Sequence, residues 1–248
     1  MITSYRPDEM MAIAGAREID DGKVCLVGIG LPARAAILAK RMHAPHAVLV
    51  YESGVIDTNP TRAPLSIGDG DLANNSKTIV SIPEMFNYWL QGGRIDLGFL
   101  GAAQIDRWAN INTTVVGSYD EPTVRLPGAG GAPEIASFAR DVIVIVRHTT
   151  RSLVEKVDFV TSVGQIDEET RREYGLSGGG PSRIVTDLGI LRYRPEAKEF
   201  VLDGIYQGVD IDLAQEQTGW DLQFSDELEE IAPPSESELS TLREISGD

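Results

Sequence analysis

Residues 24–54 read VCLVGIGLPARAAILAKRMHAPHAVLVYESG, and this stretch decides the fold. "VCLVGIG" (24–30) is an apolar run that ends in glycines, the pattern of a buried strand followed by a sharp turn. "PARAAILAKRMH" (32–43) carries apolar residues at helical spacing. Pro32 is tolerated in its first turn, where the N–H it lacks would have no partner. "HAVLVY" (46–51) reads as a second buried strand. Strand, helix and strand in close succession make a β–α–β unit, which implies parallel strands and a right-handed crossover. The second strand stops at Glu52, the first residue of the turn "ESG" (52–54).

The alternation continues on both sides. Met10, Met11, Ile13, Ala14 and Ile19 place a helix over 7–20, with Asp8 as its cap. "KTIVSI" (77–82) is a short strand, and "PEMFNYWLQGG" (83–93) a helix stopped by glycines. "IDLGFLGAAQID" (95–106) is strand then loop, and "DVIVIVRH" (141–148) a β-branched strand. "VDFVTSVG" (157–164), "SRIVTDLGILRYRP" (182–195) and "EFVLDGIY" (199–206) read as further strands, the middle one folded back at "DLG". "LSGGGPS" (176–182) reads as the most flexible internal link, and "IDLAQEQTGWDL" (211–222) as a terminal helix. The predicted fold is α/β, a mostly parallel sheet flanked by helices, in one domain over residues 1–225. Residues 226–248, acidic and carrying paired prolines, read as a loosely attached tail.

A chain of 248 residues with 42% hydrophobic content can bury one large core. Its net charge of -16, from 22 basic and 38 acidic residues, repels polyanions, so nucleic acid and anionic membranes are poor partners. Lysine is confined to Lys23, Lys40, Lys77, Lys156 and Lys198, a composition that fits a salt-adapted surface. No apolar run reaches bilayer length, and the N-terminus lacks the layout of an export signal, so a cytoplasmic location is expected. The single cysteine, Cys25, lies inside a strand, which leaves no disulfide within the chain and no thiolate cluster. His43, His46 and His148 lack ligand spacing, so no metal site is expected.

Three stretches combine a strand end with residues suited to chemistry. Gly28-Ile29-Gly30-Leu31-Pro32-Ala33 fits the dinucleotide fingerprint, with Glu52 placed where an acid would bind a ribose. Against that reading, Pro32 removes an N–H from the phosphate cradle, and Glu52 sits on a tight Ser-Gly bend. Gly128, Gly130 and Gly131 form a loop without side chains, ahead of a helix. Its amides can approach a phosphate or an oxyanion, or the glycines serve close packing alone. In "LGAAQID" (100–106), Gln104 and Asp106 follow a strand's carboxyl end, either as ligand-binding groups or as a polar turn capped by Asp106.

Taken in order, "GIGLP" (28–32), "ESG" (52–54), "GDG" (68–70), "LGAAQID" (100–106), "GAGGA" (128–132), "VDFVTSVG" (157–164), "TDLGILRY" (186–193) and "TGWDL" (218–222) resemble the β subunit of family I CoA-transferases, most closely the glutaconate CoA-transferase type. The resemblance spans nearly the whole chain outside the acidic tail. It implies that Glu52 is the nucleophile, that the Gly128–Gly131 loop supplies an oxyanion donor from Gly130 or Gly131, and that Ser53, Gly54 and Gln104 neighbour the substrate. It also implies an α-type partner subunit sharing the site, in a hetero-oligomer of α2β2 size or larger. The substrates would be an acyl-CoA and a carboxylic acid. No cofactor would be held permanently, and CoA would be a substrate and transient covalent adduct. CoA phosphates need cations that this chain supplies sparsely, which points to the partner as their source. Relatives in the superfamily decarboxylate an acyl-CoA or open a ring hydrolytically, and a non-catalytic subunit is a further alternative. Retention of Glu52 favours transfer.

Overall fold

A computed structural model describes residues 4–247, so residues 1–3 and the last residue of the acidic segment, 248, lie outside the described residues. Helix α1 (Pro7–Arg17) precedes the expected unit of β1 (Val24–Leu26), α2 (Leu31–Met42) and β2 (Val48–Val50). The chain reverses into β3 (Val55–Ile56), passes α3 (Gly70–Asn74) and returns as β4 (Thr78–Ile79). A single turn, α4 (Ile82–Glu84), then runs directly into a π-helix (Met85–Leu90). β5 (Leu97–Gly101) is followed by two small hairpins, β6 (Gln104–Ile105) with β7 (Ile111–Asn112), and β8 (Val115–Gly117) with β9 (Pro122–Arg125). Next come α5 (Ala132–Phe138), β10 (Asp141–Ile145), α6 (Glu168–Glu173), β11 (Pro181–Val185), β12 (Gly189–Arg194) and β13 (Glu199–Tyr206). The chain closes with α7 (Ile211–Glu216), β14 (Phe224–Ile231) and α8 (Glu236–Ser246).

The main sheet has ten strands in the order β14-β13-β12-β11-β10-β5-β1-β2-β3-β4. Its centre, β11-β10-β5-β1-β2, is parallel throughout, in register Cys25↔Leu49 and Cys25↔Leu97 around β1. Successive strand residues face opposite layers. Cys25, Leu49, Ile143 and Ile145 pack under α1, α2 and α8, while Leu26, Val50, Val142 and Val144 pack under α5 and the π-helix. The connections leave β1 in opposite directions, to β2 on one side and eventually β5 on the other. The carboxyl ends of these strands therefore border the crevice where ligands bind in such sheets.

Apart from 157–164, the predicted strands are present, with the 32–43 helix and the "DLG" hairpin, mostly shorter than their apolar runs. Asp8 does not cap α1: Glu9 reaches back to accept from the Arg6 N–H at 2.7 Å, and Asp8 pairs with Arg6 and Arg34. Residues 157–164 form no named strand. Side chains hold them instead: Thr161 Oγ1 accepts from the Thr113 N–H, and the Gly164 N–H donates to Asn110 Oδ1. The 211–222 helix ends at Glu216. The 176–182 link is pinned: Arg171 donates to the Gly178 carbonyl, Gln165 to the Gly179 carbonyl, and the Gly178 N–H to the Ser137 carbonyl.

The largest correction concerns the acidic segment. Over its described residues, 226–247, the expected loose tail is absent. β14 adds to the sheet edge beside β13, where Gly204 leaves room for Ile231, whose Cδ1 lies 2.6 Å from the position of an added Cβ. α8 buries Leu239, Leu242 and Ile245 in the α1–α2 layer. Arg17–Glu238 and Arg243–Glu9 tie it down at 2.7 Å each. The sequence carries the signals for this helix, the Ser235-x-x-Glu238 capping box and helically spaced apolar residues, among its run of carboxylates.

His148 is a structural residue. It is buried between Thr186 Oγ1 at 3.0 Å and Thr218 Oγ1 at 2.8 Å, linking the "TDLG" and "TGWDL" segments. Burial lowers its pKa from 6.5 to about 4, so the folded chain holds it neutral. The unfolded chain takes up this proton first as pH falls. Stability tied to His148 is therefore complete above pH ~6.5 and is lost between there and pH ~4, by about 3 kcal/mol in all. Urea midpoints measured across that window should fall less steeply for His148→Gln than for the parent chain.

Candidate active site

Glu52 is placed by a reversal that only glycine completes. The Gly54 N–H donates to the Tyr51 carbonyl at 2.9 Å, the Tyr51 N–H to the Val55 carbonyl at 3.1 Å, and the Val80 N–H to the Gly54 carbonyl at 2.9 Å. Gly54 has φ +93, and a Cβ there would sit 1.9 Å from the Val80 carbonyl oxygen. Gly54 is thus the hinge of the turn, and its packing explains its presence without any contact to substrate. Tyr51 is fully buried on the α1–α2 side. Strand alternation carries Glu52 to the opposite side, toward α5 and the π-helix.

The Glu52 carboxylate is half-buried, and among the described residues nothing forms a hydrogen bond or ion pair with it. Burial alone raises its pKa above the ordinary 4.5. Oε1 lies 3.0 Å from the position a Cβ on Gly131 would take, and the same position is 2.8 Å from Phe86 Cζ. The sequence-predicted acid and glycine loop are therefore neighbours. Ser53, next in the chain, is also half-buried, with an Oγ that has no partner among the described residues.

The glycine loop is anchored at one end and open at the other. The Gly128 N–H donates to the Thr113 carbonyl, and Thr113 Oγ1 donates to the Gly128 carbonyl, each at 2.8 Å. Gly130 has φ +51 and nothing within 4 Å of an added Cβ. Among the described residues, neither the Gly130 nor the Gly131 amide has an acceptor, so both are available to an incoming oxygen. Gly98 on β5 lets Ile135 of α5 and the capping Ala139 lie close to the sheet: an added Cβ would meet Ile135 Cγ2 at 2.5 Å.

Gln104 does not join this group. It is buried, and its amide is spent internally: Nε2 donates to Asp158 Oδ2 at 2.9 Å, while Oε1 accepts from Asn112 Nδ2 at 2.6 Å and from the Asp158 N–H at 3.1 Å. This network fixes the β6–β7 hairpin. Asp106 is the turn cap of the two readings, accepting from the Trp108 and Asn110 N–H groups and from Asn110 Nδ2. Phe86, whose ring borders Gly131 beside Glu52, is a neighbour that sequence reasoning does not single out. It sits in a run read as an ordinary helix, and its ring position depends on the π-helical register. The Gln91 N–H donates five residues back to the Phe86 carbonyl at 2.9 Å.

Glu52 and Gly131 of the glycine loop thus share one side of the sheet's carboxyl end. Among the described residues, no group of three or more His, Cys, Asp or Glu is placed to hold a metal ion, and no helix is long and apolar enough to cross a membrane.

Known proteins share this sequence and architecture. A family model described as Coenzyme A transferase matches residues 8–216. The B-type subunit of the 3-oxoadipate CoA-transferase of Pseudomonas knackmussii is 50% identical over 245 residues, spanning 98% of this chain and 94% of that one. The B-type subunit of the glutaconate CoA-transferase of Acidaminococcus fermentans is 37% identical over 240 residues, spanning 93% and 89%. The crystal structure of glutaconate coenzyme A-transferase from the same organism matches with a TM-score of 0.91 and 34% identity, over 99% of this chain and 96% of that chain. The ordered motifs, the parallel sheet and these matches agree: the chain belongs to the coenzyme A transferase family.

Proposed function

We propose that this chain is the catalytic B-type subunit of a heteromeric CoA-transferase, and that Glu52 carries CoA as a thioester between two half-reactions. One observation supports this most directly: a half-buried carboxylate without a partner among the described residues lies against Gly131 of a glycine loop. A carboxylate stripped of hydration and counter-ions is a stronger nucleophile than one in water.

A Glu52 oxygen attacks the thioester carbonyl, and a Gly130 or Gly131 amide would donate to the oxyanion that forms. The C–S bond breaks and CoA leaves as its thiolate, giving an acyl-glutamyl anhydride. The thiolate then attacks the glutamyl carbonyl and releases the first acid as its carboxylate. A second carboxylic acid runs the steps in reverse and leaves as its CoA ester, with Glu52 restored. One thioester replaces another, which accounts for ping-pong kinetics without ATP. CoA is a substrate here, held only while covalently attached.

The acid is proposed to be a dicarboxylate. The 3-oxoadipate-named relative, at 50% identity against 37% for the glutaconate-named one, shifts the expected acyl group from glutaconate toward a 3-oxo dicarboxylate. Both relatives are B-type subunits, which supports an A-type partner completing the site and supplying cations for the CoA phosphates.

The test is chemical. The chain is co-purified with its A-type partner, incubated with succinyl-CoA and treated with hydroxylamine or borohydride. Peptide mass spectrometry should find a hydroxamate, or the reduced alcohol, on Glu52. Modification elsewhere, or none at all during active turnover, defeats the proposal.

A further inference from the structure

The proposed reaction carries a hazard that Glu52 and the glycine loop do not remove. The anhydride and the glutamyl thioester are both open to hydrolysis, and each hydrolysed intermediate loses a thioester without transferring it. An exposed carboxylate would also keep its hydration and react slowly. Something apolar has to cover Glu52, and the structure places one ring there.

Phe86 packs on the cluster that includes Met85, Leu90 and Ile135, which fixes its position from beneath. Its Cζ and Cε1 lie 2.8 and 2.9 Å from the position a Cβ of Gly131 would occupy, and Glu52 Oε1 lies 3.0 Å from that same position. Ring edge and carboxylate therefore both border a space that is open because residue 131 is glycine. The π-helix holds the ring in this register, and Gly92 closes that helix, since a Cβ there would lie 2.2 Å from the Tyr88 carbonyl oxygen. π-Helical segments are rare and concentrate at functional sites.

We propose that Phe86 is a positioning residue that excludes water from Glu52 and limits the width of the acyl group held beside Gly131. This rests on Glu52 being the nucleophile. The titratable and charged groups on the elements packed around Glu52 are Glu84 and Tyr88 at the π-helix, Arg94 just beyond it, and Glu134 in α5. Glu134 accepts from Gln91 Nε2 at 3.4 Å, and Arg94 lies over the Trp89 ring. None of these pairs with Glu52 among the described residues, which leaves burial, to which Phe86 contributes, as the cause of its raised pKa.

The experiment uses the two-subunit enzyme with Phe86→Ala and Phe86→Leu. Three quantities are read: acyl-CoA hydrolysis without acceptor relative to transfer with it, the acid limb of kcat/KM, and the relative use of narrow and branched acyl-CoAs. For Phe86→Ala the hydrolysis-to-transfer ratio should rise about tenfold or more, as water reaches the intermediates. The acid limb should move down toward an ordinary glutamate, and branched acyl groups should gain on narrow ones. Phe86→Leu should fall between parent and alanine, and it decides the matter if the alanine variant does not fold. An unchanged ratio and acid limb in the folded variants, with Glu52 still labelled in the parent, overturns the role of Phe86 alone. Absence of label on Glu52 in the parent overturns the function on which it rests.

Discussion

Glu52→Gln should reduce transferase turnover by about a thousandfold or more while leaving the assembly folded. Glutamine matches the shape of the side chain but cannot act as the attacking carboxylate, so both half-reactions stop together. The thermal response should separate this from damage to the fold. Glu52 is a half-buried acid with no partner among the described residues, and such a group costs stability. Its neutral isostere should melt at the same temperature as the parent or above it, the usual sign of a residue kept for chemistry. Steady-state rates and melting curves on one preparation check both parts. Parent-level turnover would remove Glu52 from the mechanism.

Gly131→Ala should be the most damaging change of a single carbon. Gly131 has φ -88, which any residue adopts, so the backbone does not resist alanine. The space does. The methyl would lie 2.8 Å from Phe86 Cζ and 3.0 Å from Glu52 Oε1, closer than unshifted atoms permit. Either the ring or the carboxylate must move, and the methyl fills volume the reacting carbonyl needs. Turnover should fall about a hundredfold, comparable to losing an oxyanion donor, with the melting temperature lowered by only a few degrees. A variant that turns over normally would show that acyl transfer does not pass through this space.

How much of this could be read from the chain differs from element to element. The β–α–β unit was legible because a buried strand and an amphipathic helix have distinct periods. Glu52 was legible as a strand-end acid, but its partner loop lies far along the sequence, and only the order of motifs joined them. Phe86 was not legible, because a π-helical register leaves an aromatic run looking like any helix. The surroundings of Gln104 were not legible, because a strand's carboxyl end hosts ligands and structural amides alike, and its hydrogen-bond partner Asp158 lies far along the sequence. The acidic segment was misread because charge density weighed more than the apolar triad Leu239, Leu242 and Ile245.

That segment also gives the sheet two unlike ends. The strand Phe224–Ile231 closes one end with exposed Asp226, Glu227, Glu229 and Glu230, while the strand Thr78–Ile79 closes the other with Ile79 57% exposed. A ten-stranded sheet with free backbone groups at both margins is a template for edge-to-edge polymerisation. Two copies meeting through Phe224–Ile231 would align carboxylate against carboxylate, so growth in that direction is refused by repulsion. Acid or concentrated salt weakens that repulsion, so the charge of one late strand guards its edge against pairing with the same edge of a second copy.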